Sequence, residues 1–143
     1  LSRIYLATRI EKYKDAALEG IRYLLKAQYP NGGWPQFWPR PKGYYTHITY
    51  NDNAMVNVMN WLRDVYSRKA PYTYVPDSLC QRARTAFDKG VECILKTQVK
   101  QNGKLTVWCA QHDEHTLAPA KARAYELPSL SGAESDNIVL LLF

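Results

Sequence analysis

The sequence predicts an all-α chain: an α/α barrel, or toroid, of helical hairpins with long active-site loops, incomplete within these 143 residues. Three observations predict it. Apolar residues recur at helical spacing in four segments, one stretch of sequence returns 70 residues later, and the chemically interesting residues fall in the loops between helices.

Residues 13–28 place Tyr13, Ala16, Ala17, Ile21, Leu24, Leu25 and Gln28 on one helical stripe. Residues 52–66 do the same with Met55, Val58, Met59, Leu62 and Val65 or Tyr66. Pro76-Asp77-Ser78 is a start signal for a third helix, through residue 98, whose stripe is Leu79, Ala83, Ala86, Phe87, Val91, Ile94 and Leu95. Ser131-Gly-Ala-Glu134 reads as a capping box ahead of a last helix. Strand-type alternation is confined to residues 104–109, where Leu105, Val107 and Cys109 follow Asn102-Gly103; a short hairpin arm is expected there.

The repeat joins Gly20-Ile-Arg-Tyr-Leu-Leu-Lys-Ala-Gln28 to Gly90-Val-Glu-Cys-Ile-Leu-Lys-Thr-Gln98. Each copy runs on into Asn-Gly and then a tryptophan, Trp34 in the first and Trp108 in the second. Two helices per repeat, with chemistry in the loop after one of them, build a ring of hairpins whose loops line one cleft. Such a repeat fixes architecture better than activity.

A formal charge of +6 favours an acidic partner, yet no Lys/Arg-rich run of the nucleic-acid kind occurs. The apolar run Ile138-Val-Leu-Leu-Leu-Phe143 is far shorter than the ~20 residues that span a bilayer, and reads as a severed core helix. Cys80, Cys93 and Cys109 lack CxxC spacing. Cys80 and Cys93 lie about 20 Å apart along one helix, so they cannot pair, and buried free thiols are expected.

Residues 29–55 carry the most chemistry. Trp34, Phe37, Trp38, Tyr44, Tyr45 and Tyr50 crowd a Gly/Pro-rich loop together with Arg40, Lys42 and His47, ahead of Asn51-Asp52. Aromatic faces beside cations suit an anionic sugar, and long ordered loops in compact domains are usually functional. Asp52 falls at the first turn of its helix, where the macrodipole favours an anion; it is expected either to cap the helix or to offer an oxygen to a hard cation such as calcium. A second group, His112, Asp113 and His115, matches no standard zinc spacing. Lys121, Arg123 and Glu126 alternate with alanine in a Pro-bounded segment and, on spacing alone, read as solvated surface.

Three motifs carry a family resemblance: YPNGGWPQFWP…GYYTHITYNDNAM (29–55), NGKLTVWCAQHD…LAPAKARAYE (102–126) and LPSLSGAES (127–135). The chain resembles the pectate lyases of polysaccharide lyase family 10 through nearly all its length. The resemblance implies an α/α toroid that cleaves pectate (polygalacturonate) by calcium-assisted β-elimination. It implies that Arg123 is the Brønsted base and that Asp52 binds calcium. Lys121 and His112 are placed to bind a uronate carboxylate and Trp34, Tyr44 or Trp108 to stack on a sugar, with simple packing the equal alternative for each. It further implies a secreted or periplasmic monomer acting on an anionic polysaccharide, without nucleic acid or membrane partners. Residues 1–143 are expected to be the middle of a catalytic domain, truncated at both ends and inactive alone.

Two other readings stand beside this one. A silent module that binds acidic polysaccharide fits the same scaffold. An α/α-barrel glycosidase needs a carboxylate pair; Asp113 and Glu126 are available beside Asp52, but no spacing pairs them.

Overall fold

Each apolar stripe folds as a helix, in a computed structural model that describes residues 1–39 and 42–143. The helices are α1 (Ser2–Thr8), α2 (Glu11–Ala27), α3 (Ala54–Tyr66), α4 (Asp77–Thr97) and α5 (Gly132–Leu142). Pro76 supplies the extended residue that starts α4, and Ser131 occupies the N-cap of α5. The expected capping box is incomplete: the Ser131 hydroxyl bonds the Glu134 carboxylate instead of a backbone amide. α3 and α4 make the largest helix–helix contact, with α2 and α5 flanking them. Ile21, Met55, Met59, Leu62, Val65, Ile94 and Ile138 are completely buried between them. Each such side chain contributes roughly 1.5–3 kcal/mol by leaving water. All three thiols are buried and unbridged, as expected.

Short antiparallel pairs staple the loops. They are β1 (Ile48–Thr49) with β5 (Gln111–His112), β2 (Lys100–Gln101) with β3 (Lys104–Leu105), and β4 (Trp108–Cys109) with β6 (Leu130–Ser131). The predicted arm at 104–109 is therefore divided. Its start closes a hairpin on Lys100–Gln101 through Asn102 (φ 49°) and Gly103 (φ 80°), the positive-φ pair that a tight hairpin turn requires. Its end crosses to the segment preceding α5.

The sequence repeat is also a hydrogen-bond repeat. Trp34 Nε1 donates to the Leu24 carbonyl (2.9 Å) and Trp108 Nε1 to that of Ile94 (2.8 Å), residues that correspond in the two copies. Gln28 Nε2 donates to Gly32 O and Gln98 Nε2 to Thr106 O, each two residues before the tryptophan. The amides of Tyr29 and Val99 reach the carbonyls of Gly33 and Val107 in the same way. Gly32 (φ 97°) presses on α4 so closely that a Cβ there would lie 2.0 Å from the Lys89 carbonyl oxygen; no other residue fits.

Candidate active site

Asp52 leaves its helix before the helix begins. It sits in the short 3-10 turn Asn51–Asn53 with φ 54° and ψ 24°, and α3 starts at Ala54. Asn53, also left-handed, holds the N-cap position and makes no side-chain cap bond. Asp52 is thus not the cap that its position suggested. Two consecutive left-handed residues are tolerated because Asn and Asp bear that conformation better than other side chains. The turn leaves the Asp52 carboxylate exposed, with Oδ2 accepting from Asn51 Nδ2 at 2.8 Å.

Arg123 lies on an exposed turn, its side chain 73% accessible. Its Nε donates to Glu126 Oε1 at 2.9 Å, Nη2 reaches the same oxygen, and the Arg123 backbone amide donates to Glu126 Oε2 at 3.1 Å. The hydrogen bond and the charge of Glu126 push the guanidinium above its ordinary pKa, and the same bond pulls the Glu126 carboxyl below its own. A base needs the opposite: here the carboxylate holds the proton on Arg123. Glu126 also lines a cleft of about 440 Å³ together with Asn51, Gln111, Ala120, Tyr125 and Ser129. The neighbour of Asp52 and the ionic partner of Arg123 therefore share one wall.

Tyr44 reaches this region from the aromatic loop. It stacks on Tyr45 with ring centroids 4.0 Å apart. The Tyr45 hydrogen bond, then burial, raise the Tyr44 hydroxyl above its ordinary pKa, and the positive charge of Arg123 pulls it back. Lys121 is exposed and makes no ion pair among the described residues. Arg40 lies outside the described residues.

Three expected substrate contacts are corrected by burial. Trp34 and Trp108 are each 3% exposed, and their indole N–H groups are spent on helix carbonyls. His112 is fully buried, with both ring nitrogens committed: Nδ1 donates to the Leu117 carbonyl (3.0 Å) and Nε2 accepts from the Cys109 amide (3.2 Å). Burial lowers its pKa and keeps the ring neutral. Little of any of the three side chains is left open to solvent. The repeat was the available signal, since residues placed alike in two copies serve the architecture.

One group had no sequence signal, because its members lie far apart in the chain. His47 Nδ1 pairs with Glu114 Oε2 at 2.9 Å, and Asp113 completes a set whose ligand atoms lie within 4.8 Å of one another. Asp113 Oδ1 already accepts from the His115 and Thr116 amides and from the Thr116 hydroxyl. Asn31 Nδ2 bonds the Glu114 carbonyl at 2.7 Å, so this group ties the aromatic loop at two points to the 113–116 turn. The His112–Asp113–His115 combination does not form: His112 points into the core, while His115 is 81% exposed.

Comparison with known proteins gives a consistent result. The family described as pectic acid lyase matches residues 1–143. A family 10 polysaccharide lyase from Cellvibrio cellulosa is 43% identical, with a TM-score of 0.94 over 99% of this chain and 44% of that one. A mutant of that lyase in complex with trigalacturonic acid has the same identity and TM-score, over 99% of this chain and 45% of that chain. The chain spans less than half the length of the solved proteins it matches. No curated protein matches it.

Proposed function

This chain belongs to the pectic acid lyase family, and from that premise we propose that the complete protein cleaves pectate by calcium-assisted β-elimination on an α/α toroid. The observation that carries the reading is the shared cleft: Asn51, beside Asp52, and Glu126, bonded to Arg123, face one space of about 440 Å³. The solved relative bound to trigalacturonic acid gives the substrate class by analogy.

Asp52 suits a hard cation because its carboxylate is exposed and stands clear of the helix on a fixed left-handed turn. One carboxylate is too few for a tight site, so uronate carboxylates and residues elsewhere in the complete domain supply the remaining oxygens. Asp52 would hold such a cation, which would supply withdrawal of negative charge from the uronate carboxylate next to C5. Neutral Arg123 takes the C5 proton, the electrons of that C–H bond form the C4–C5 double bond, and the C4–O bond breaks, the departing oxygen taking a proton from water. For this, Arg123 must first part from Glu126 and release its own proton to solvent, since arginine is normally always protonated. Desolvation and neighbouring positive charge in the bound complex drive that release. Lys121 and Tyr44 meet the substrate near Arg123, as a cation for a carboxylate and a ring for a sugar face. The complete protein acts as a secreted or periplasmic monomer, as its family resemblance implies.

The Arg123–Glu126 pair also favours a second reading, in which a permanently charged guanidinium only binds uronates and the protein is a silent polysaccharide-binding module. Absorbance of the unsaturated product separates the two. With the complete protein and polygalacturonate, product should rise with calcium, vanish with chelator, and fall steeply in Asp52→Ala. Calcium-dependent binding without product would establish the module instead.

A further inference from the structure

We propose a second sugar-binding site, for one uronate unit of the polysaccharide, in the pocket between the end of α2, the start of α3 and the Trp34–Trp38 stretch. It is a cavity of about 220 Å³ walled by Tyr23, Trp34, Phe37, Trp38, Ala54 and Val58. The rings of Phe37 and Tyr23 are about half exposed, so apolar faces are offered to something outside the core. Scattered exposed rings carry no meaning, but these converge on one cavity.

Charge and polarity give the pocket its ligand class. The Lys26 ammonium stands 5.4 Å from the Trp38 ring centroid and has no acidic partner among the described residues. Trp38 itself is fixed edge-to-face against Tyr23, 5.2 Å between centroids, and by the Tyr23 hydroxyl bonding its carbonyl. Gln36, which also lines the cavity, has a buried Oε1 with no hydrogen-bond partner among the described residues. A buried amide oxygen left unpaired is unfavourable. A ligand hydroxyl supplies the missing donor once the amide turns toward it. An aromatic wall, an unpaired amide and a free ammonium together fit a sugar ring with hydroxyls and a carboxylate.

Position links this pocket to the site already described. Asn51 lines the cleft shared with Glu126 and Ala54 lines the aromatic pocket, so Asp52 lies in the chain between a residue of each. A polyuronate laid across Asp52 would place one sugar near Arg123 and a more distant one on Trp38 and Lys26. The inference rests on the proposed substrate for the sign of the charge.

Calorimetric binding of a short and a long saturated oligogalacturonate tests it, using the complete protein in an Arg123→Ala background with calcium present. Trp38→Ala and Lys26→Ala should each weaken the long oligomer about tenfold while leaving the short one unchanged, and Lys26→Arg should retain most of the affinity. Lys26 is exposed, so its variants report on binding without disturbing the fold. If both alanine variants bind the long oligomer as their parent does, or the parent binds neither oligomer, the site is refuted. If the complete protein with Arg123 in place forms no unsaturated product while the variants show the predicted losses, the lyase reading is refuted and this site stands.

Discussion

The two helix–Gln–Trp units are the same device used with different neighbours. In both, glutamine and tryptophan side chains lock a loop back onto its helix through corresponding carbonyls. In the second unit Gly90 lies against Met59 and the Trp34 ring, 2.9 and 3.1 Å from where a Cβ would sit. The matching Gly20 meets nothing within 4 Å and lines an open cleft of about 620 Å³ with Ala16, Leu24 and Trp61. The loops differ too: Gln28 is six residues from Trp34, whereas Gln98 is ten from Trp108, the excess forming the β2–β3 hairpin. What repeats is therefore scaffold. What does not repeat, the left-handed turn at Asp52 and the Arg123–Glu126 turn, is where the proposed chemistry sits.

Breaking the shared device should cost most. Trp34→Ala and Trp108→Ala should each lose roughly 3–5 kcal/mol in urea unfolding of the complete protein, since each opens a cavity and orphans a helix carbonyl. A much smaller loss for one of them would show the units to be inequivalent. Next, the two Asn-Gly turns should separate. Gly32→Ala forces backbone on backbone at Lys89 and should cost about 2–3 kcal/mol. Gly103→Ala, in open space, should cost about 1 kcal/mol for its left-handed φ alone. The glutamines come after these. Gln28→Leu strips the carbonyls of both Gly32 and Ala86 and should cost about 1–2 kcal/mol; Gln98→Leu strips only Thr106 and should cost less.

The smallest effect is a slope with pH. His112 meets Ile48 where the two units' loops pair, and burial holds its pKa below the ordinary 6.5. Its folded state prefers the neutral ring. That preference costs nothing above about pH 6.5, and stability falls as the pH drops below 6.5 toward the folded value, because the unfolded chain binds the proton first. His112→Gln should flatten this slope in thermal melts between neutral and mildly acidic pH.

The helices were legible because a 3.6-residue apolar period is a direct imprint of burial, and Met55, Met59, Leu62 and Val65 all proved to be core. The repeat was legible and marks real hydrogen bonds. The Asn51-Asp52-Asn53 turn was misread at one point: the same residues that favour caps also accept left-handed backbone, and composition does not choose between them. Aromatic residues in a Gly/Pro loop gave no hint of which rings turn inward, so Trp34 and Trp108 were expected on sugar while both pack in the core. The three-residue interval from Arg123 to Glu126 was visible, but only the folded turn brings guanidinium and carboxylate together. The Asn31–His47–Glu114 knot joins residues 67 and 83 apart, beyond any local pattern.

Arg123 as base is the claim on which the rest turns. Its most direct test is the pH profile of unsaturated-product release from polygalacturonate by the complete protein, before and after Arg123→Ala. Activity should climb toward alkaline pH and disappear in the variant, with helical circular dichroism unchanged. Product formed at an undiminished rate by Arg123→Ala, or an optimum below pH 7, would contradict it.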